Sequence, residues 1–279
     1  PPRTAAGLDA LVASVPVFSK MSPEYCSVTF GAGGSTQQQT PDTVTALQAQ
    51  GASVAPHISC ITASEEELLA LLTRYQQQGV DRLVVLRGDR PSGFVGGGTL
   101  HYASDLVCFI RRHFADTFFI EVGCYPEGHP ESENLTTDFH HFVNKVKAGA
   151  DAAISQYFFN VDSYCYFRDR CVHAGLTVPI VPGIMPIVSF EKLLRFSSVC
   201  GAEIPLWIKQ QMKGLSDDDQ RAFGCDVVTS LCERLLKEGA PGLHFYTLNQ
   251  VEPTQTIVHR LQAMGQPIGT TIDLHSTIN

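Results

Sequence analysis

The chain has no uninterrupted run of about 18 apolar residues, which a membrane-spanning helix would need, and no apolar segment follows Pro1-Pro2-Arg3-Thr4 as in a secretory leader. It also has no basic tract. Its 20 Lys and Arg are scattered against 28 Asp and Glu for a net charge of −8, so nothing in it can track a phosphate backbone or an anionic bilayer. Neither nucleic acid nor membrane is therefore an expected partner, and a cytoplasmic location is. The nine cysteines (Cys26, Cys60, Cys108, Cys124, Cys165, Cys171, Cys200, Cys225, Cys232) include no Cys-x-x-Cys pair. They read as reduced thiols in apolar surroundings rather than as a disulfide framework or a metal site, and no metal is expected. No G-x-G-x-x-G follows a strand to open a helix, and no G-x-x-x-x-G-K-[ST] occurs, so both common nucleotide-phosphate fingerprints are missing.

What is present is a rhythm. At 279 residues and 44% hydrophobic content, the chain can bury one large core. Apolar, β-branched runs recur at 26–30, 53–59, 82–88, 118–126, 152–159, 179–185 and 243–249. Near-continuous hydrophobicity of this kind suits strands buried on both faces of a parallel sheet. Helical patterns lie between them. Ser64 and Glu67 form a capping box ahead of Leu68, Leu69, Leu71 and Leu72, and Gly79 ends that segment. Phe139, Phe142, Val143 and Val146 make an apolar stripe at i, i+3, i+4 and i+7, while Asp138, His141 and Lys145 share another face of the same helix. Further helices are expected near 104–115, 162–174, 190–200 and 217–238. Strand and helix alternating every 25 to 35 residues predict a closed (β/α)8 barrel of the TIM type. The sequence shows seven strands, so the eighth is expected immediately ahead of Pro1, missing from the chain; residues 1–264 are then the barrel and 265–279 a tail of unknown role.

In such a barrel the functional groups gather where strands end at their C-termini. That rule selects Thr29 and Phe30, His57, Arg87-Gly88-Asp89, Tyr125 and His129, Gln156, and Asn249 with Gln250. Each has an ordinary structural explanation by itself: a satisfied core histidine, an ion-paired loop, a Pro-rigidified turn, a glutamine hydrogen-bonded inside the barrel. The glycines at 31–34 and 96–98 read first as flexible loops. Co-occurrence at successive strand ends is what points to a site.

Taken in order, SVTFGAGGS (27–35), APHISC (55–60), LRGD (86–89), YASDLV (102–107), YPEGHPE (125–131), ISQYFF (154–159), VPGIMPI (181–187) and HFYTLN (244–249) closely resemble the methylenetetrahydrofolate reductase family, from Pro1 to about Leu261. The resemblance implies an FAD-dependent barrel without a Rossmann fingerprint. Such an enzyme reduces methylenetetrahydrofolate to methyltetrahydrofolate by a ping-pong hydride relay from NADH or NADPH, and feeds methionine synthesis. It implies FAD contacts from Phe30, Ala32, His57, Arg87, Gly88, Asp89, Tyr102, Ala103, Tyr125, His129, Ser132, Asp138, His141, Asn144 and Lys145. It implies that Asp89 lies near both flavin and folate, where a carboxylate stabilises the cationic iminium that accepts hydride. Gln156 is expected to bond the pterin or the nicotinamide carboxamide in turn, Thr29 to assist the nucleotide, and Phe196 to stack on whichever ring is present. A homo-oligomer is expected from the family.

Three departures stand out. The family's general acid, a glutamate in the strand before the Pro-Pro pair, has no counterpart in these residues, although ring opening of the folate needs one. Gln250 replaces the arginine usual in bacterial members and Lys192 a glutamine found in some, which bears on folate contacts at both positions. Competing readings are a flavin- or folate-binding subunit without independent turnover, and a barrel flavoenzyme oxidising an amine, such as proline dehydrogenase. The latter would require a carboxylate-binding arginine pair that the sequence does not display. A metal-dependent hydrolase would require a His-x-His pair and further ligands that are not present.

Overall fold

The computed structural model describes residues 1–2, 4–30, 39–61, 63–88, 98–265 and 269–274. Its elements in chain order are α1 (Ala5–Ser19), β1 (Cys26–Val28), α2 (Gln39–Gln48), β2 (Val54–Ser59), α3 (Glu65–Gln77), β3 (Arg82–Leu86), α4 (Ala103–Phe114), β4 (Phe119–Cys124), α5 (Leu135–Lys147), β5 (Ala152–Ser155), α6 (Val161–His173), β6 (Ile180–Val181), β7 (Gly183–Ile184), α7 (Phe190–Cys200), α8 (Leu206–Met212), α9 (Asp217–Lys237), β8 (Leu243–Tyr246), α10 (Thr254–Ala263) and β9 (Thr270–Leu274).

All strand pairings are parallel, in the order β6-β5-β4-β3-β2-β1-β9-β8-β7. The two ends of this sheet are consecutive in the chain. Pro182, which has no N–H to give to a ladder, splits one stave into β6, paired with β5, and β7, paired with β8. Its carbonyl still accepts from His244 N–H at 3.0 Å. The Gly183 N–H donates to Ser155 Oγ at 2.9 Å. A Cβ on Gly183 would lie 2.1 Å from the Ser155 carbonyl oxygen, so the seam closes only around glycine.

Among the described residues the barrel has eight staves, and one of them was not read from the sequence. The sequence reading set the eighth strand ahead of Pro1 and left 265–279 as a tail; the structure lays Thr270–Leu274 between β1 and β8. Cys26, Ser27 and Val28 pair with Ile272, Asp273 and Leu274, and the Ile272 N–H donates to Tyr25 O at 3.2 Å. The physical reason is alternation. Thr271 and Asp273 turn into the barrel, while Ile272 and Leu274, 1% and 0% exposed, join the apolar layer between sheet and helices.

Two cores result. The larger fills the space between the strands and the surrounding helices; Tyr25, Ala55, Val84 and Ile154, with Leu86 and Tyr246 against them, plug the barrel's middle. Helix starts follow local chemistry. Ser64 and Glu67 complete the reciprocal capping box of α3, Asn134 caps α5 by accepting from Thr136 and Thr137 N–H, and Ser189 caps α7. At the N-terminal mouth, Glu121 is buried but bonded by Tyr25 Oη at 2.6 Å and lies 3.3 Å from Arg82. No helix among the described residues is long and apolar enough to cross a membrane.

If β9 is a true stave, Ile272→Ala empties a core site and lowers the free energy of urea unfolding by about 2–5 kcal/mol. A residue in an undocked tail would change it by less than about 0.5 kcal/mol.

Candidate active site

The strand ends are tied together by the backbone of the β3 exit. The Arg87 carbonyl accepts from Ser59 Oγ at 2.6 Å and from Ile61 N–H at 3.1 Å, fixing the β2 exit to it. Gly88 follows at φ +86°, where an added Cβ would lie 2.0 Å from Ser59 Oγ. No L side chain can replace it there without moving the β2 exit. Arg87 then reaches across to Glu131 in the β4–α5 loop, Nη2 to Oε2 2.6 Å.

Around this ion pair the structure assembles most of the expected residues. Tyr102, at the start of α4, has its backbone N–H held by Asp105 and its ring stacked on His141 of α5, centroids 6.0 Å apart. It remains 56% exposed, an open aromatic shelf. Ala103, buried, is the first residue of α4. Tyr125 meets His129 edge-on at 4.5 Å. His129 Nδ1 accepts from Glu131 N–H at 3.1 Å, which leaves its proton on Nε2, and burial lowers its pKa. Ser132 donates its N–H to the His129 carbonyl. On α5, burial raises the Asp138 carboxyl while Lys145, His129 and His141 pull it back. The Lys145 ammonium, lowered by burial, donates to the Gly123 carbonyl of β4. Asn144 is exposed on the same helix. The shared face of Asp138, His141 and Lys145 read from helical spacing is therefore real, and it looks toward the β4 exit.

Below this face lies a buried polar column. Asp273 of β9 points into the barrel and its Oδ1 accepts from Ser27 Oγ at 2.8 Å. His57 Nε2 is 3.8 Å from the same oxygen. Asp273 is 2% exposed, and burial pushes its carboxyl up to about 7, with the Ser27 bond and the Pro1 amine opposing. Tyr246, one stave over, gives its hydroxyl to the Ser155 carbonyl at 2.9 Å. Thr29, buried at the β1 exit, offers its carbonyl to Thr40 Oγ1 at 3.1 Å, and Phe30 follows half-buried. Sequence reasoning missed Asp273 and Ser27. The signal was available in the alternation of Thr270-Thr271-Ile272-Asp273-Leu274 after Gly269, but one carboxylate in a five-residue run hid the strand.

The remaining expected residues are spread more widely. Gln156, half-buried at the β5 exit, accepts from Tyr157 N–H at 3.0 Å and lines a small pocket with Tyr125, Glu127 and Tyr157. Lys192 is exposed in the first turn of α7, and Gln250 is half-buried after β8 with its N–H on the Thr247 carbonyl. Phe196, expected to stack on the substrate ring, is 7% exposed and shares the inner face of α7 with Leu193. Ala32 and Asp89 lie outside the described residues.

The fold and this face define a β/α-barrel protein with an aromatic, cation-bearing surface at the C-terminal strand ends. Residues 1–262 match the family model for methylenetetrahydrofolate reductase. The chain is 39% identical over 264 residues to the 5,10-methylenetetrahydrofolate reductase of Escherichia coli (strain K12), covering 94% of this chain and 88% of that one. It is 31% identical to methylenetetrahydrofolate reductase 1 of Schizosaccharomyces pombe, covering 99% of this chain and 47% of that longer one. Among solved structures it shares its fold with a Clostridium thermocellum protein described as binding two copies of 5-methyl-5,6,7,8-tetrahydrofolic acid. The TM-score is 0.59 at 16% identity, over 100% of this chain and 87% of that one. The chain belongs to the methylenetetrahydrofolate reductase family.

The fold holds Asp273 protonated to higher pH than the unfolded chain does. Between its ordinary value of 3.8 and about 7, the native state therefore binds more protons, and stability falls as pH rises through that window. Asp273→Asn removes the penalty. Its melting temperature should gain on wild type steadily from pH 4 to pH 7 and run parallel above; a constant difference across that range would show that Asp273 titrates normally.

Proposed function

We propose that this chain reduces the methylene group of 5,10-methylenetetrahydrofolate to methyl, with FAD as resident cofactor and NADH or NADPH as electron donor, in a ping-pong order on one face of the barrel. Family membership supports the folate reaction, and one structural observation supports the cofactor: the convergence of Arg87, Tyr102, Tyr125, His129, Asp138, His141 and Lys145 beside the β3 and β4 exits. Bound FAD would supply the hydride-accepting and hydride-donating chemistry that amino-acid side chains do not offer.

The residues present suit such a group. Tyr102 keeps an open ring face for a planar heterocycle, backed by His141. Gly88 lets backbone approach where a Cβ would collide with Ser59. Arg87, with Lys145 and the neutral His129, provides donors and positive charge for a diphosphate. Phe30, Ala32, His57, Asp89, Ala103, Ser132 and Asn144 are assigned to the same cofactor by the family resemblance.

For the substrates, Gln156 commits its carbonyl oxygen to Tyr157 N–H, which leaves its side-chain NH₂ to donate to a pterin or carboxamide. Thr29, Lys192, Phe196 and Gln250 are assigned to substrate contacts, Phe196 requiring a shift of α7 to present its ring. Asp89 is assigned to stabilising the cationic folate iminium. With nine free thiols and this chemistry, we place the protein in the cytoplasm, as a homo-oligomer.

Anaerobic titration of the purified protein tests the reading. Flavin absorbance should bleach with NADH or NADPH and recover on adding methylenetetrahydrofolate; a protein that cannot be loaded with FAD would refute it. Tyr102→Ala should weaken FAD binding about tenfold, roughly 1.4 kcal/mol, within the range of ring stacking. Circular dichroism should not change, because the ring is exposed; unaltered affinity would remove Tyr102 from the site.

A further inference from the structure

At the end of the barrel opposite the exit loops, the strands start around a cavity of about 180 Å³. Its walls are low because Pro179, Pro241, Gly242 and Gly269 stand there. A Cβ on Gly242 would lie 2.6 Å from the Gly269 carbonyl oxygen, and one on Gly269 would lie 2.8 Å from Glu24 Oε1. Neither position accepts a side chain that could fill the space without displacing its neighbours. A single water needs about 10–15 Å³ of such room, so the cavity admits a small organic molecule.

Three charged side chains line it. Glu121, 2% exposed, is fully engaged: Oε2 accepts from Tyr25 Oη at 2.6 Å, and Oε1 lies 3.3 Å from Arg82 Nη1. Arg82 is only partly engaged. Its guanidinium carbon sits 4.2 Å from the Phe119 ring centroid and 4.7 Å from that of Tyr25, which fixes the group in place. Nη1 faces Glu121. The other edge, where Nε–H and Nη2–H lie side by side, has no hydrogen-bond partner among the described residues. That edge matches the two oxygens of a carboxylate. Glu24 is the third group. Its backbone N–H is tied to the Thr270 carbonyl at 2.8 Å, its carboxylate lies against Gly269, and it makes no ion pair among the described residues. Burial raises the Glu121 carboxyl and the charge of nearby Glu24 adds to that, while Tyr25 and Arg82 lower it.

Charge decides the class of ligand. Arg82 and Glu121 offset each other, so Glu24 leaves the mouth with one negative charge in excess. That excess opposes a simple anion on the Arg82 edge, and a simple cation beside Glu24 would leave the Arg82 edge unpaired. A zwitterion satisfies both. We propose that this N-terminal mouth binds a free α-amino acid, its carboxylate on the Nε–Nη2 edge of Arg82 and its ammonium on Glu24. Pro179, Val181 and Pro241 leave an apolar wall for the ligand's own side chain. The site lies at the far end of the strands from Arg87, Tyr102 and Lys145, and it stands independently of the flavin and folate reading.

Isothermal titration calorimetry of the full chain with each of the twenty common L-amino acids, and with acetate and methylamine as single-charge fragments, tests the proposal. At least one amino acid should bind with Kd below about 1 mM, and both fragments at least about tenfold more weakly. Arg82→Lys keeps the charge beside Glu121 but loses the paired donors, and should weaken the amino acid about tenfold or more. Glu24→Gln keeps size and removes the ammonium's partner, with a loss of the same order. Because the Glu24 carboxylate has no ion-pair partner in the protein, this second variant decides the matter even where Arg82→Lys unfolds. Flavin loading and NADH oxidation should be unchanged in Glu24→Gln, which places the loss at this mouth. No binding by any amino acid up to about 10 mM, or binding unaltered by Glu24→Gln, overturns the proposal. Acetate binding as tightly as the amino acids would make the mouth an anion site, methylamine doing so would make it a cation site, and either result also overturns it.

Discussion

The pairing of Thr270–Leu274 between Cys26–Val28 and Leu243–Tyr246 is the constraint on which the rest of the molecule depends. Without that stave, β1 and β8 would each present a row of unpaired backbone groups along a buried edge, at about 1–3 kcal/mol for each group left unsatisfied. The apolar plug of Tyr25, Ala55, Val84 and Ile154 would lose its wall. With it, the sheet closes at the other side through nothing larger than Pro182 and Gly183. Sequence ends that lie nearly a full chain length apart thus meet across one hydrogen-bonded ladder.

Closure also sorts polar from apolar inside the barrel. The N-terminal mouth holds Glu121 with Tyr25 and Arg82, and next to it His244, lowered to about 3 by burial and bonded to Thr271. The middle is largely apolar. Toward the C-terminal ends, the Ser27–Asp273–His57 column leads up to the exit loops, where Arg87, Tyr102, His129 and Lys145 gather. The strands are rigid and fully laddered, so positions set by them are precise, while the loop residues are held by a few side-chain ties such as Arg87 to Glu131. Groups that need fixed positions are best placed on the strands, and adaptable contacts on the loops.

Much of this was legible in the sequence because the relevant signals are local. Seven strands announced themselves as continuous apolar runs, and the Ser64–Glu67 box and the Phe139–Val146 stripe fixed two helices and the face that carries Asp138, His141 and Lys145. The ends of runs were overcalled, since residues such as Phe158 and Phe159 are apolar for packing reasons after the ladder has ended. Pro16 disguised α1, and the short α8 had too few turns to show a period. The β9 stave was missed because its evidence is non-local: a five-residue segment with an acid in it declares itself a strand only when its partners, 27 and 246 residues away, are known to need one.

Hydrogen–deuterium exchange at the amides of Thr270–Leu274 tests the central claim most directly. A closed barrel with this strand as its last stave predicts protection equal to that of Cys26–Val28 and Leu243–Tyr246, lost only with global unfolding. Exchange at the rate of an unstructured peptide, with β1 and β8 still protected, would contradict it and would take Asp273 out of the site.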